Sequence, residues 1–283
     1  MITPIPSSKS PSTQGEVKLT ISLRDGVSVV SQQYSHAPLK VMRPFQLADG
    51  SLLLQLLSVG PGMLAGDCYQ IDIEVQPGAS AVIVNQAASK VLTMPAGQSA
   101  EQHVTLTVAE GASLEYYPGT TLPYPAATLS QTITAQVSSD GALGILESWA
   151  MGRVARGELF EFTSLTSHTR VYQGSRLTYQ DSLWLEPHRQ QPSSWGLLEG
   201  YSYLSSGYWS PDYWSRKASP EAINTNTPDL MLARGQDHIG GVYIRALARD
   251  SVFLGQALRE QLDGLRSQTG RTALNWQVYS SAL

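Results

Sequence analysis

Three glycines, an aspartate and the chain's only cysteine crowd into GPGMLAGDCY (residues 60–69), directly after the apolar run SLLLQLLSV. Such residues suit a phosphate cradle, a metal site or a tight turn. Gly60, Gly62 and Gly66 give G-x-G-x-x-x-G, one residue longer than the dinucleotide fingerprint, which works only where a helix N-terminus comes next to face the pyrophosphate. The next residues, DCYQIDIEV, instead alternate apolar and polar as in a strand, and this disfavours anion binding. The five histidines (His36, His103, His168, His188, His238) stand far apart, with no H-x-x-x-H and no second cysteine, which excludes a closed structural zinc site. Cys68 then reads as a small buried hydrophobe. Asp67, next to the glycine turn, either bonds that turn's own N–H groups or faces a cavity.

Other chemistries have thinner support. There is no G-x-S-x-G nucleophile elbow. Glu147, Glu158 and Glu161 surround ESWAMGRVARGELFE, so a carboxylate pair for glycoside hydrolysis on a β scaffold is one alternative. Within that stretch Arg153 and Arg156 lie between Gly152 and Gly157 with Glu158 adjacent, where guanidinium groups can fork onto carboxylates or onto a partner. Between Trp195 and Pro228 the residues Tyr201, Tyr203, Tyr208, Trp209, Tyr213 and Trp214 stand among Ser, Gly, Pro and Asn, as either a structured aromatic loop or a partner surface.

The elements that position these residues are mostly strands. Val17, Leu19, Ile21 and Leu23 alternate with polar residues up to the turn pair Asp25-Gly26, and the same period of two returns in IDIEV, AVIVNQ, HVTLTV, SLEYY, TITAQV, LFEFTSL and RLTYQDSLWL. Three stretches share a unit of strand, turn residues, Gly-Ala and second strand: IDIEVQPGASAVIV, VTLTVAEGASLEYY and ITAQVSSDGALGIL. Their glycines, Gly78, Gly111 and Gly141, recur about every 30 residues, which predicts rungs or stacked hairpins burying their apolar faces on one another. ELFEFTSLTSHTRVYQGSRLTYQDSLWLE predicts a wide hairpin turning at Gln173-Gly174. One helix is expected in DSVFLGQALREQLDGLRS, capped by Asp250 or Ser251, with Leu254, Leu258, Leu262 and Leu265 as its apolar stripe.

Composition bounds the rest. At 283 residues with 42% hydrophobic residues the chain supports a sizeable core. Nineteen basic against 23 acidic residues, with no basic cluster, argue against a nucleic-acid partner. No apolar stretch approaches the roughly 18 residues of a membrane helix, and MITPIPSSKSPSTQGE lacks a signal peptide's apolar core, so a cytoplasmic protein is expected. Residues 1–16, rich in Ser, Pro and Thr, are expected to be a disordered tail, 17–269 a single domain, and 270–283 a loose C-terminal tail.

Several motifs in series carry a family resemblance: PGMLAGD, the Gly-Ala units with NQAASKV between them, YYPGTTLPYPAATLSQ, and above all MGRVARGELF. From about Val17 to Arg266 the chain resembles the urease accessory protein UreD family, also called UreH. Many members have two glycines where this chain has Pro61-Gly62, and the family varies at Cys68. The resemblance implies a mostly β, superhelical, β-helix-like stack of strands with one or two helices. It implies a non-enzymatic assembly factor that binds urease apoprotein and acts with UreF and the GTPase UreG to deliver Ni²⁺, with no stably bound cofactor and nickel only in transit. It also implies poor solubility without UreF, in keeping with only 15% charged residues. A transfer path suits scattered carboxylates, because a transferring site must release its ion. On motif position and charge, Asp67, Glu147 and Glu158 are the expected passage residues. Gly62, Gly66, Arg153, Arg156 and Gly157 are the expected supporting geometry, and Tyr208, Trp209, Tyr213 and Trp214 with the final helix the expected partner surface.

Overall fold

A computed structural model describes residues 13–194, 196–214 and 222–276. The strands of its first half are β1 (Gln14–Arg24), β2 (Val27–His36), β3 (Leu39–Val41), β4 (Phe45–Gln46), β5 (Leu52–Ser58), β6 (Cys68–Val75), β7 (Ser80–Asn85), β8 (Ser89–Val91) and β9 (Ala100–Val108). Those of the second are β10 (Ser113–Pro123), β11 (Thr128–Val137), β12 (Ala142–Ala150), β13 (Ser164–Gln173), β14 (Arg176–Leu185), β15 (Tyr203–Trp209), β16 (Ile223–Asn226), β17 (Leu230–Gln236) and β18 (Val242–Ala248), with helix α1 (Ser251–Gln268) after them.

The Gly-Ala units are rungs rather than hairpins. Each runs one strand in the first sheet, turns the corner at its glycine, and continues in the second sheet: β6 to β7, β9 to β10, β11 to β12. Successive rungs pair in parallel, so Ile71, Val104 and Ile133 align in one sheet and Ile83, Tyr116 and Ile145 in the other. The corners stack as well, Gly78 N–H donating to Glu110 O at 3.0 Å. Gly78 and Gly111 have φ of +73° and +62°, a conformation that favours glycine at both corners. The result is a β-solenoid-like stack closed by antiparallel pairs, with sheet orders β14-β13-β11-β9-β6-β1-β2 and β16-β17-β18-β15-β12-β10-β7-β5-β3.

Alternation along the central strands of both sheets directs every second side chain toward one interlayer core that includes Leu19, Ile73, Leu106, Leu114, Ile133 and Ile145. The other face of the second sheet is covered in turn by α1 through Leu254, Leu258, Leu262 and Leu265, packed with Leu53, Val82, Leu146 and Trp209. Asp250 caps α1 as expected, its Oδ1 accepting from Val252 N–H at 2.7 Å.

Some boundaries differ from expectation. Gln14, Gly15 and Glu16 of the expected tail are already paired with β6, while residues 1–12 lie outside the described residues. Residues 158–163 are not strand: positive φ at Gly157 and Phe160 turns the chain there, and the hairpin of β13 and β14 begins at Ser164. The segment after α1 packs down as far as Trp276, with Leu274 and Trp276 buried and Thr272 N–H donating to Asp49 Oδ2 at 2.7 Å. Residues 277–283 lie outside the description.

Candidate functional site

Strand β12 is buried along its whole length because both faces of its sheet are covered. Its residues Leu143, Ile145, Glu147 and Trp149 share the interlayer face, which places the Glu147 carboxylate between the sheets, 7% exposed. The two neighbouring strands of the facing sheet supply its partners. Gln131 of β11 donates through Nε2 to Glu147 Oε1 and to Ser167 Oγ at 3.1 Å, and Thr169 of β13 donates to Glu147 Oε2 at 3.0 Å. No cation pairs with Glu147 among the described residues. Burial raises its pKa to about 7, against the lowering pull of the Thr169 and Gln131 hydrogen bonds.

Polar side chains continue on both sides of Glu147. Gln102 of β9 donates to Gln131 Oε1 at 2.7 Å and also lines a cavity of about 120 Å³ bounded by Gly60, Gly62, Tyr69, Asn85 and Lys90. On the other side Glu147, Thr169, Asp181, Ser206 and Arg245 enclose a space of about 10 Å³, enough for roughly one water. Ser206 Oγ donates to Asp181 at 2.6 Å. Arg245 pairs with the same carboxylate, its own side chain about half exposed. A run of polar groups therefore crosses the apolar interlayer from a cavity beside the glycine turn to the surface at Arg245.

The structure does not bring Asp67 or Glu158 to this run. Asp67 is buried in its own turn, Oδ2 accepting from Leu64 N–H at 2.8 Å and Oδ1 from Thr13 N–H at 2.9 Å. Gly62 (φ +143°) lets the turn press against β8, since a Cβ there would sit 2.8 Å from Lys90 O. Gly66 N–H donates to Ser99 O at 2.8 Å. Replacing Asp67 by alanine should leave two N–H groups without acceptors and lower the unfolding free energy by about 1–3 kcal/mol, read from urea denaturation. A wild-type denaturation midpoint would show that the carboxylate does not hold the turn.

Glu158 is held by Arg153 in a bidentate pair, Nε to Oε2 at 2.5 Å and Nη2 to Oε1 at 2.6 Å. The same guanidinium lies 4.2 Å over the Tyr124 ring. Gly157 (φ +76°) ends the short 3-10 turn of Val154–Arg156. Gly152 admits no side chain, since a Cβ would fall 2.0 Å from Glu158 O. Both arginines line a groove of about 510 Å³ against α1, but Arg153 is engaged within the chain, while Arg156 is exposed and outside every ion pair among the described residues.

The expected aromatic surface is corrected. Tyr208, Trp209, Tyr213 and Trp214 are all buried. Tyr208 faces the interlayer core, stacked on Tyr179 at 4.0 Å, and Trp209 faces the α1 layer, donating to Tyr117 Oη at 3.2 Å. Both faces of their sheet are covered, so adjacent aromatics on one strand are both core. Trp195 and residues 215–221 of that segment lie outside the described residues.

Sequence reasoning missed two features. Cys68 is half-buried rather than buried and lies opposite Glu101 on the outer face of the first sheet. A buried ion-pair cluster joins α1 to the second sheet: Arg266, fully buried, donates to Glu115 Oε1, to Asp49 Oδ2 at 3.2 Å and to Thr272 O at 2.6 Å.

Known proteins are similar to this chain over most of its length. Residues 13–279 match the family model described as UreD urease accessory protein. The chain is 31% identical over 254 residues to urease accessory protein UreD of Deinococcus radiodurans, covering 89% of this chain and 90% of that one. It is 39% identical over 185 residues to urease accessory protein UreD 1 of a Synechococcus strain, covering 65% of this chain and 69% of that one. It is 26% identical over 232 residues to urease accessory protein UreH of Helicobacter hepaticus, covering 82% and 90% respectively.

Proposed function

Because this chain belongs to the UreD urease accessory protein family, we propose that it is an assembly factor that binds urease apoprotein and, with UreF and the GTPase UreG, delivers Ni²⁺ to the urease centre. The ion is cargo rather than cofactor. The observation that carries this reading is Glu147, a carboxylate without a cation partner among the described residues, held between two sheets in a line of neutral oxygen and amide groups.

Such a line suits passage. Gln102, Gln131, Ser167 and Thr169 offer oxygen ligands that replace water one at a time without holding a borderline metal tightly, and Glu147 and Asp181 add negative charge, Asp181 being already paired with Arg245. With its pKa near 7, Glu147 is partly protonated and neutral when the path is empty, and an arriving cation displaces the proton. Asp67 and the Arg153–Glu158 pair support the frame on this reading, while exposed Arg156 is available to a partner. No helix among the described residues is long and apolar enough to cross a membrane, and we place the protein in the cytoplasm, where urease is assembled.

The rival reading, a carbohydrate-active β-solenoid enzyme, needs two carboxylates flanking one sugar. Glu147 is instead enclosed between the sheets and Glu158 is paired to Arg153. The two readings separate in one experiment. Urease co-expressed without this chain should be synthesised at normal yield but be poor in nickel by metal analysis, and restoring the chain should restore the metal. Full nickel in its absence would reject the assembly role, and glycan turnover by the isolated chain would favour the enzyme.

A further inference from the structure

The solenoid repeat brings together three donors that lie far apart in sequence. Cys68 opens β6 and Glu101 lies one rung later in β9; the parallel register sets them side by side, and His103 comes two residues on, on the same face. One donor atom from each residue, Cys68 Sγ, a Glu101 oxygen and a His103 ring nitrogen, lies within 4.8 Å of the others. His103 Nε2 and Glu101 Oε2 are 3.3 Å apart. A four-coordinate ion with bonds of about 2.0–2.3 Å holds its donors about 3.3–3.8 Å apart, so side-chain rotation alone closes the set.

The surroundings favour a cation. The residues paired with these three on the flanking strands are Gln14, Gln70, Ser130 and Thr132, all polar and none basic. A recess of about 360 Å³ opens beside Cys68 and Glu101. The backbone beneath is fixed by the Asp67 turn: Glu101 N–H donates to Asp67 O at 2.9 Å and Cys68 N–H to Thr13 O at 3.0 Å. On the opposite face of the same strands, Tyr69 and Gln102 line the interior cavity, so this cluster is separate from the Glu147 path.

We propose that Cys68, Glu101 and His103 form a surface site for a borderline divalent transition-metal ion of the Ni²⁺, Co²⁺ and Zn²⁺ class. Sulfur, imidazole and carboxylate together suit that class rather than Mg²⁺ or Ca²⁺. Binding replaces water ligands of the ion, and the Cys68 thiol loses its proton to solvent as the metal–sulfur bond forms. With three protein donors, a fourth position remains for water or an incoming ligand, and the ion stays exchangeable. The proposal is independent of the passage.

Cobalt(II) titration into the full-length chain, fused to a cysteine-free solubility tag, tests it directly. Cys68 is the only cysteine, so any thiolate-to-metal charge-transfer band reports on this site. One equivalent should give that band with the d–d intensity of four-coordinate cobalt. Cys68→Ser should abolish the band, and His103→Ala and Glu101→Gln should each weaken binding about tenfold or more. Both of those side chains are about half exposed, and circular dichroism verifies that the variants fold. Absence of the band at saturating Co²⁺, or a band of unchanged affinity in the His103→Ala, Glu101→Gln double variant, would overturn the site.

Discussion

Arg266→Ala should lower the unfolding free energy by about 3–5 kcal/mol, the range for breaking a buried ion pair. Arg266 sits in the last turn of α1, and its guanidinium reaches three separate elements: Glu115 on β10, Asp49 before β5, and the Thr272 carbonyl after the helix. Removing it leaves Glu115, 2% exposed, with Tyr117 Oη at 2.9 Å and only a longer contact to Arg271 at 3.7 Å. Burial beside Glu115 keeps the Tyr117 phenol well above its ordinary pKa, so it remains a donor and cannot neutralise the carboxylate. Lysine should rescue little, because a single ammonium cannot span three acceptors that a planar guanidinium reaches at once. Pairing Arg266→Met with Glu115→Gln should recover much of the loss, since the stranded charge is then gone. Urea denaturation of the three variants checks this; a single-variant loss below about 1 kcal/mol would mean the cluster is not a lock between helix and sheet.

The second large effect concerns Glu147 and depends on pH. The folded chain holds this carboxyl protonated to higher pH than the unfolded chain does, about 7 against an ordinary 4.5. Its contribution to stability is therefore complete below about pH 4.5 and is lost as pH rises through about 7. Once Glu147 is fully ionised, the loss is about 3 kcal/mol. Glu147→Gln keeps the shape and both hydrogen bonds, its oxygen accepting from Gln131 and its amide donating to Thr169, but cannot ionise. The variant should match wild type near pH 4.5 and exceed it by up to about 3 kcal/mol above pH 7, by urea denaturation at both ends. A difference that does not change with pH would contradict the buried ionisation. A residue that lowers stability at working pH where glutamine would serve fits a role in moving charge rather than in folding.

Much of this architecture is legible in the chain. The spacing of Gly78, Gly111 and Gly141 reveals the rungs, because stacked units of equal length must turn their corners at equal intervals, although it does not tell a rung from a hairpin. Asp250 and the four leucines reveal α1, since cap and stripe are both local. Tyr208 and Trp209 mislead because their strand is covered on both sides, which erases the alternation that marks one buried face. Glu147 is identifiable as a carboxylate in a strand, yet its partners Gln131 and Thr169 come from the opposite sheet, and no local pattern announces them. The same holds for Glu115 and Arg266, 151 residues apart, and for Cys68 with Glu101, which only the parallel register aligns.

The proposed passage brings nickel to urease past Glu147. Its most direct measurement is the nickel content of urease matured with Glu147→Gln in place of the wild-type chain, with complex formation monitored by co-purification. An ionised ligand contributes about 1.5–3 kcal/mol, equivalent to about ten- to a hundredfold in rate, so urease should assemble with its partners yet remain correspondingly poor in nickel. Wild-type nickel content with Glu147→Gln would contradict the passage.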